Sequence, residues 1–196
     1  MPRFTRAELE SYYDAEVPDL LPGPGQPLKL LFVGINPGLW TAAVQTHFAR
    51  PGNRFYPALL AAGIIERPVD VAAGMTDDDR EYFRSRGIGI TNVVRRATAR
   101  ADELTAEELR AGGRQLLATV ESTGPAVVAI LGVTAYRAAF SAPKATTGLQ
   151  PEPLAGSQLW VVPNPSGLNA HDTVDSLAAA YAAAARAAGV VPTIER

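Results

Sequence analysis

Residues 29–38 read KLLFVGINPG, and this stretch decides the fold class. Its aliphatic and β-branched run lies between a Pro/Gly-rich segment, LPGPGQP at 21–27, and the NPG at 36–38. Short apolar runs bounded in this way are typical of strands buried on both faces of a parallel sheet. Similar runs at 87–94, 126–131 and 159–162 bring the number of predicted strands to four.

Helical segments separate these strands. The sequence predicts helices around 57–63, from an N-cap at Thr105 to about Glu121, over 134–140 and over 172–188. Alternating strands and helices indicate an α/β protein, here a three-layer α/β/α sandwich around a mostly parallel four-stranded sheet. We expect a single domain over 1–196, with an N-terminal extension at 1–27 and a tail at 190–196.

Composition narrows the function classes. The chain has 196 residues and no cysteine, which excludes disulfides, thiol nucleophiles and iron–sulfur clusters. With two histidines and no compact His, Asp or Glu constellation, we expect neither a metal nor a cofactor. The apolar stretches fall short of the ~18 to 20 residues that cross a bilayer, and the N-terminus lacks a signal-peptide core. The sequence therefore predicts a cytoplasmic protein with no membrane contact.

The charges are unevenly distributed along the chain. Net charge is −2, but no acidic residue occurs at 20–65, 82–101 or 153–171. Such windows could line a surface that meets phosphates, or they could lack charge because two of them contain core strands. The middle window also holds five arginines: Arg84, Arg86, Arg95, Arg96 and Arg100.

Two predicted strands end in the same kind of constrained polar loop, GINPG at 34–38 and PNPSG at 163–167. In parallel sheets ligands bind at the carboxyl ends of the strands, so both loops are expected to face one cleft. The Asn36 amide does not titrate, but it can hold a water or read an edge with one donor and one acceptor. Pro37 would set its direction. The alternative is an Asx-turn residue at the strand exit.

Taken in order, several motifs resemble the mismatch-specific uracil and thymine DNA glycosylases of the uracil-DNA glycosylase superfamily. They are GINPG at 34–38, Phe48 followed by PGNRF at 51–55, GIGITNVVRR at 87–96 and NPSGL at 164–168, and the resemblance spans 28–183. It implies the fold of that superfamily and a monofunctional glycosylase acting in base excision repair. Such an enzyme flips uracil out of G-mismatched double-stranded DNA and removes it hydrolytically, leaving an abasic site. Thymine and other damaged bases are further candidate substrates. The expected partner is a duplex with a G·U or G·T mismatch, bound by a monomer.

The resemblance also implies roles for individual residues in the pocket. Asn36 would position the water that attacks the deoxyribose C1′, and Phe48 would stack on the extruded base. Asn92 would face the Watson–Crick edge of that base. For Phe48 the alternative is an ordinary core position. Three further residues are expected to bind substrate: Gly34, Ile35 and Asn164.

The NPSGL loop is implied to bind DNA. Ser166 and Gly167 would offer backbone and hydroxyl donors to a phosphate, and Asn169 would lie beside them. Leu168 would be the apolar wedge that fills the gap left by the flipped nucleotide. The alternative is a leucine folded back under the loop.

Some features leave the substrate range and even the activity open. Arg95 stands where the family often has an acidic residue, and Asn92 looks closer to the thymine-processing branch. A nucleotide-binding domain with GINPG as its phosphate loop is a competing hypothesis, although GxGxxG and GxxxxGK are absent. A catalytically silent module that recognises damage without cleaving is the other alternative.

Overall fold

A computed structural model describes residues 3–191, so residues 1–2 of the predicted extension and 192–196 of the predicted tail lie outside the described part. One sheet has the order β2-β1-β3-β5-β4, and every pairing is parallel except that of β4 with β5. The α/β fold with a mostly parallel sheet is confirmed. The predicted strand number is wrong, because the sheet has five strands: β1 (Leu30–Gly34), β2 (Ile88–Asn92), β3 (Val127–Leu131), β4 (Gly148–Leu149) and β5 (Gln158–Val162).

Seven α-helices surround the sheet in residues 3–191. They are α1 (Arg6–Glu10), α2 (Leu39–Ala43), α3 (Phe55–Ala61), α4 (Asp77–Ser85), α5 (Ala106–Thr123), α6 (Val133–Ala139) and α7 (Val174–Ala187). The predicted N-cap Thr105 does accept a hydrogen bond from the Glu108 N–H in a capping box. Helix α7 begins later than predicted, because Thr173 forms its capping box with Ser176.

The alternation of side chains along β1 creates the two layers of core. Leu30 and Phe32 pack into the cluster that includes Phe55 of α3 and Tyr181 of α7. Leu31 and Val33 pack into the opposite cluster with residues of α5 and α6. All five residues of β1 are buried. Helices therefore cover both faces, as the sequence pattern predicts for a parallel sheet.

The segment before β1 covers the outer edge of β2. Leu20 and Ile90 exchange two backbone hydrogen bonds of 2.9 and 2.7 Å, and Glu16 bridges to Arg96. The predicted N-terminal extension thus packs along the sheet. This pairing places Pro18 and Asp19 beside β2.

The four longer strands run in the same direction, so their carboxyl ends share one edge. Asn92 at the end of β2 is in register with Gly34 at the end of β1. Asn36 follows β1, and Asn164 follows β5. Within residues 3–191, no helix has the length and apolar character needed to span a membrane.

Candidate active site

A cleft of about 510 Å³ opens at this edge. Gly167 lies instead in a smaller recess beside it, against Gly52. The cleft brings together the other residues to which the family resemblance assigned a role: Gly34, Ile35, Asn36, Phe48, Asn92, Asn164, Ser166, Leu168 and Asn169.

The amide of Asn36 is held in one orientation. Its Nδ2 donates to the Arg96 carbonyl at 3.1 Å and to the Thr98 hydroxyl at 2.8 Å. The Thr98 hydroxyl donates in turn to the Arg100 carbonyl at 2.7 Å, so its oxygen must act as the acceptor toward Asn36. Oδ1 of Asn36 has no partner among residues 3–191 and stays available to accept a hydrogen bond in the cleft. The sequence did not identify Thr98.

Arg96 anchors the segment that holds Asn36. Its guanidinium pairs with Glu108 and with Asp14. The hydrogen bond from Arg96, with those from Thr105, lowers the pKa of Glu108 to about 2. The ion pair between Glu108 and Arg96 stabilises the fold above the ordinary carboxyl pKa. This contribution is progressively lost as pH falls toward about 2, because protonated Glu108 no longer pairs with Arg96.

The other arginines of the acid-free window are also engaged within the chain. Arg95 pairs with Asp19, Arg86 with Glu66 and Arg100 with Asp102, and Arg84 donates to the Leu21 carbonyl. Their partners come mostly from outside the window. The separation of charge along the sequence therefore does not persist in the fold, because all five arginines have partners within the chain.

Gly34 forms the floor of a narrow slot. A Cβ atom at this position would lie 2.4 Å from Asn92 Oδ1 and 3.0 Å from Phe48 Cζ. Because real Cβ atoms do not approach so closely, only glycine leaves the space between these two side chains open.

Phe48 forms one wall of the slot. Its ring packs on Phe55 with centroids 4.2 Å apart, and the residue is half-buried at the cleft. Its φ of +57° lies in the left-handed region, which costs about 1 to 3 kcal/mol for a residue other than glycine. The surrounding packing holds this conformation, and the ring is thereby presented to the cleft.

Asn92 is fixed by a buried histidine. Asn92 Nδ2 lies 3.0 Å from His47 Nδ1, and His47 Nε2 lies 3.0 Å from the Pro18 carbonyl oxygen. Burial of the ring lowers the pKa of His47. No local pattern predicts the contact between His47 and Pro18, because the two residues lie 29 positions apart.

Two backbone donors border the same cleft. The N–H groups of Ile35 and Phe48 have no acceptor among the described residues. Both residues line the cleft. Such donors can stabilise negative charge on an oxygen in the slot.

The family model described as the uracil DNA glycosylase superfamily matches residues 22–186. The chain belongs to this superfamily. The match includes all five strands and every residue that lines the cleft. Membership supports a DNA glycosylase, a hydrolase that acts in DNA repair and binds DNA.

In this superfamily member, the loop after β5 is clamped by Arg54. The Arg54 guanidinium donates to the carbonyls of Ser166 at 2.6 Å and Asn169 at 2.7 Å, and also to that of Asp172. The backbone N–H of Arg54 donates to Pro165. These bonds hold the loop at the mouth of the cleft. Sequence reasoning missed Arg54.

Leu168 projects from this clamped loop. Its side chain is 74% exposed, so the leucine is not folded back into a core. It lines both the main cleft and the smaller recess. An exposed apolar side chain in a fixed position is what an inserting wedge requires.

Some polar groups of the loop after β5 already form hydrogen bonds within the loop or to Asp172. Asn164 Oδ1 accepts from the Ser166 N–H, and Ser166 Oγ accepts from the Leu168 N–H. The Asn169 amide donates to the Asn164 carbonyl and to Asp172. Within the described residues, the Ser166 hydroxyl hydrogen and the Gly167 N–H remain without an acceptor. Also within this part of the chain, no group of His, Asp and Glu side chains could hold a metal ion.

Proposed function

We propose that the chain is a monofunctional DNA glycosylase of the mismatch-specific branch, removing uracil from G·U pairs and leaving an abasic site. One observation carries the proposal: the free Oδ1 of Asn36 opens into the same cleft as the slot between Phe48 and Asn92. A group that can hold a water, beside an aromatic ring and an amide that line the same cleft, provides the two parts that hydrolytic base removal requires. Thymine in G·T pairs is a second candidate substrate.

The slot suits an extruded uracil. Flipping removes the base from the stack and costs a few kcal/mol, least at a mismatch. The Phe48 ring provides a stacking surface. Asn92 provides an acceptor and a donor for the imide edge of uracil. The backbone N–H groups of Ile35 and Phe48 are placed to stabilise charge on a base carbonyl as the bond breaks.

Asn36 would hold the attacking water. Its Oδ1 can accept a hydrogen bond from a water and direct the oxygen toward C1′ of the sugar. An amide takes up no proton, so bond cleavage must rely on departure of the base and on an oxocarbenium-like sugar. Neither lysine of the chain, Lys29 or Lys144, lines the cleft. No lysine amine that could form a Schiff base is therefore at hand in the described part of the cleft, which supports base removal without strand cleavage.

Duplex DNA would meet the rim of the cleft. Arg50 lines it and forms no ion pair with a described residue. The acidic residue of the lining, Asp102, is paired with Arg100. The free Gly167 N–H and Ser166 hydroxyl are available for a phosphate, and Leu168 for the gap in the stack. We propose that one copy of the chain binds one duplex.

An oligonucleotide panel tests this function. The strands carry a single uracil opposite guanine, opposite adenine or unpaired, or a thymine opposite guanine, and are treated with alkali after incubation. We expect breakage at uracil, fastest opposite guanine. Binding to the mismatched duplex without breakage would favour the silent recognition module. No affinity for DNA, with binding of a nucleotide instead, would favour a nucleotide-binding domain.

Leu168→Ala should reduce the single-turnover rate on a G·U duplex about 10-fold, because the truncated wedge no longer fills the vacated position. The rate on single-stranded uracil should change less than about twofold, since no stack has to be replaced there. Leu149→Ala is the matched control, a leucine 57% exposed on β4. Equal losses on both substrates would count against the wedge.

Thr98→Val should lower the rate of uracil release about 10-fold while affinity for mismatched duplex stays within about twofold. Valine keeps the shape but removes one of the two oxygens that accept from Asn36, so only the Arg96 carbonyl still orients the amide. Quenched single-turnover reactions measure the rate of uracil release, and fluorescence anisotropy measures the affinity for the mismatched duplex. Thr119→Val on α5 serves as a control for the substitution itself. A Thr98→Val protein with the wild-type rate would refute the positioning role.

A further inference from the structure

His47 lies behind the base slot, and its contacts reach from the N-terminal segment to Asn92. Pro18 provides the first contact. A carbonyl oxygen can only accept a hydrogen bond, so His47 Nε2, 3.0 Å from the Pro18 oxygen, must carry a proton. Pro18 itself is held beside β2, because Asp19 bonds to Thr91 and the next residue pairs with the strand.

The other ring nitrogen is then a lone-pair acceptor. His47 is 4% exposed, and burial lowers its pKa, so the ring is neutral at pH 7. Arg80 also lowers this pKa, while Asp19 and the Pro18 contact oppose the shift. With Nε2 protonated in a neutral ring, Nδ1 can only accept, and it accepts from Asn92 Nδ2 at 3.0 Å.

This arrangement leaves Asn92 a single favourable orientation. Its nitrogen faces His47 and its Oδ1 lies at the floor of the slot, where a Cβ on Gly34 would approach it within 2.4 Å. The reversed amide would set Oδ1 against the lone pair of Nδ1. Two acceptors facing each other in a buried site are unfavourable.

The orientation of this amide matters because uracil and cytosine differ at the edge it reads. Uracil offers an N3–H donor beside the O4 acceptor, whereas cytosine offers an N3 acceptor beside an amino donor. The observed orientation complements uracil, with Oδ1 accepting from N3–H and the second N–H of Nδ2 donating to O4. A reversed amide would complement cytosine.

We propose that His47 is a specificity-determining positioning residue, which locks the Asn92 amide against reversal and so makes the slot accept imide bases and reject cytosine-type bases. The inference rests on the proposed glycosylase function. It assigns the N-terminal segment a part in base selection, since the Pro18 carbonyl fixes the tautomer of His47.

The test compares two bases with similar leaving-group ability. Duplexes carry 5-fluorouracil or 5-fluorocytosine at one position opposite guanine, because fluorine favours departure of both bases. The ratio of their single-turnover rates is measured for the wild type and for His47→Phe, which keeps a ring and removes both nitrogens. Comparing variant with wild type cancels the difference in pairing. We expect the ratio to fall about 10-fold or more in His47→Phe, as for loss of a buried hydrogen bond.

Two further variants isolate the mechanism. His47→Leu fills part of the same space and carries neither a donor toward Pro18 nor an acceptor toward Asn92, so it should show the same loss of preference. In an Asn92→Ala background His47→Phe should not change the ratio, since His47 acts through Asn92. A ratio within about twofold of wild type in folded His47→Phe or His47→Leu overturns the proposal, as does an additive effect in the Asn92→Ala background.

The wild-type protein offers an independent measurement. The chain has only two histidines, so the ring nitrogens of His47 can be assigned in a long-range ¹H–¹⁵N spectrum. We expect a neutral ring protonated at Nε2 at pH 7. Protonation at Nδ1, or a charged ring, overturns the proposal. Wild-type protein that releases neither fluorinated base would instead refute the glycosylase function, and the spectrum would still test the lock.

Discussion

Asn36→Ala is expected to slow single-turnover release of uracil from a G·U duplex by about 10²- to 10³-fold, in line with loss of one positioned polar group at a reacting centre. The reason is geometric. Nδ2 of Asn36 is fully used on Arg96 and Thr98, and Oδ1 is the free acceptor in the cleft. Alanine leaves no group to hold the water.

The affinity for the mismatched duplex distinguishes loss of the positioned water from a general loss of structure in Asn36→Ala. Asn36 contacts a backbone carbonyl and a hydroxyl behind the cleft, so its removal should leave affinity for the mismatched duplex within about threefold of wild type. Thermal unfolding of the variant is measured alongside. An unchanged rate, or a rate loss matched by an equal loss of binding, would show that Asn36 does not hold the water.

Gly34→Ala is expected to reduce uracil release by about 10²-fold or more. The added Cβ would lie 2.4 Å from Asn92 Oδ1, and the backbone cannot withdraw because the Gly34 carbonyl accepts from Val93 N–H at 2.9 Å in the sheet. Asn92 must therefore leave its position, and the slot closes. Loss of one base-reading side chain and of the space for the base both act on the rate.

Gly38→Ala provides a matched control in the same motif. A Cβ at Gly38 would meet nothing within 4 Å, and its φ of −80° suits any residue. This variant should keep near wild-type activity. Rates are measured on G·U duplex, and binding is measured on a duplex containing an abasic site, which presents no base to the slot. Gly34→Ala protein that is as active as Gly38→Ala would contradict the assignment of the slot.

The buried framework of the fold could be predicted from the sequence because burial leaves a local pattern. Runs without charge marked β1, β2, β3 and β5, and Thr105 was recognised as a cap. The sequence does not predict strand β4, because this strand has only two residues and pairs with a single neighbour. Helix α4 is also absent from the prediction, because most of its residues are polar and its first turn is marked only by the capping box at Thr76.

The residues of the site also differ in how far the sequence can predict them. Asn36, Phe48 and Asn92 stand in short motifs that resemble those of a known family, and the structure brings the three residues to one cleft. The residues that orient them are distant in sequence: Thr98 lies 62 positions from Asn36, and Pro18 lies 29 from His47. Pairings of this kind depend on tertiary contacts, so a linear pattern does not contain them.

The arginines show how a charge pattern along the sequence changes on folding. A window without acidic residues suggested a phosphate-binding surface, yet Arg95 and Arg96 pair with Asp19, Asp14 and Glu108 from other parts of the chain. Folding places carboxylates beside these arginines that the sequence keeps apart. Net charge along a segment therefore says little about the charge of the surface it forms.

The most direct test of the central claim is to follow both products from one G·U duplex. Purified protein in excess is incubated with the duplex, free uracil is quantified by mass spectrometry, and the strand is examined with and without alkali. We predict one free uracil per duplex, a strand that stays intact until alkali is added, and at least a 10²-fold slower release with Asn36→Ala. No free uracil, or strand cleavage without alkali, would contradict a monofunctional uracil glycosylase.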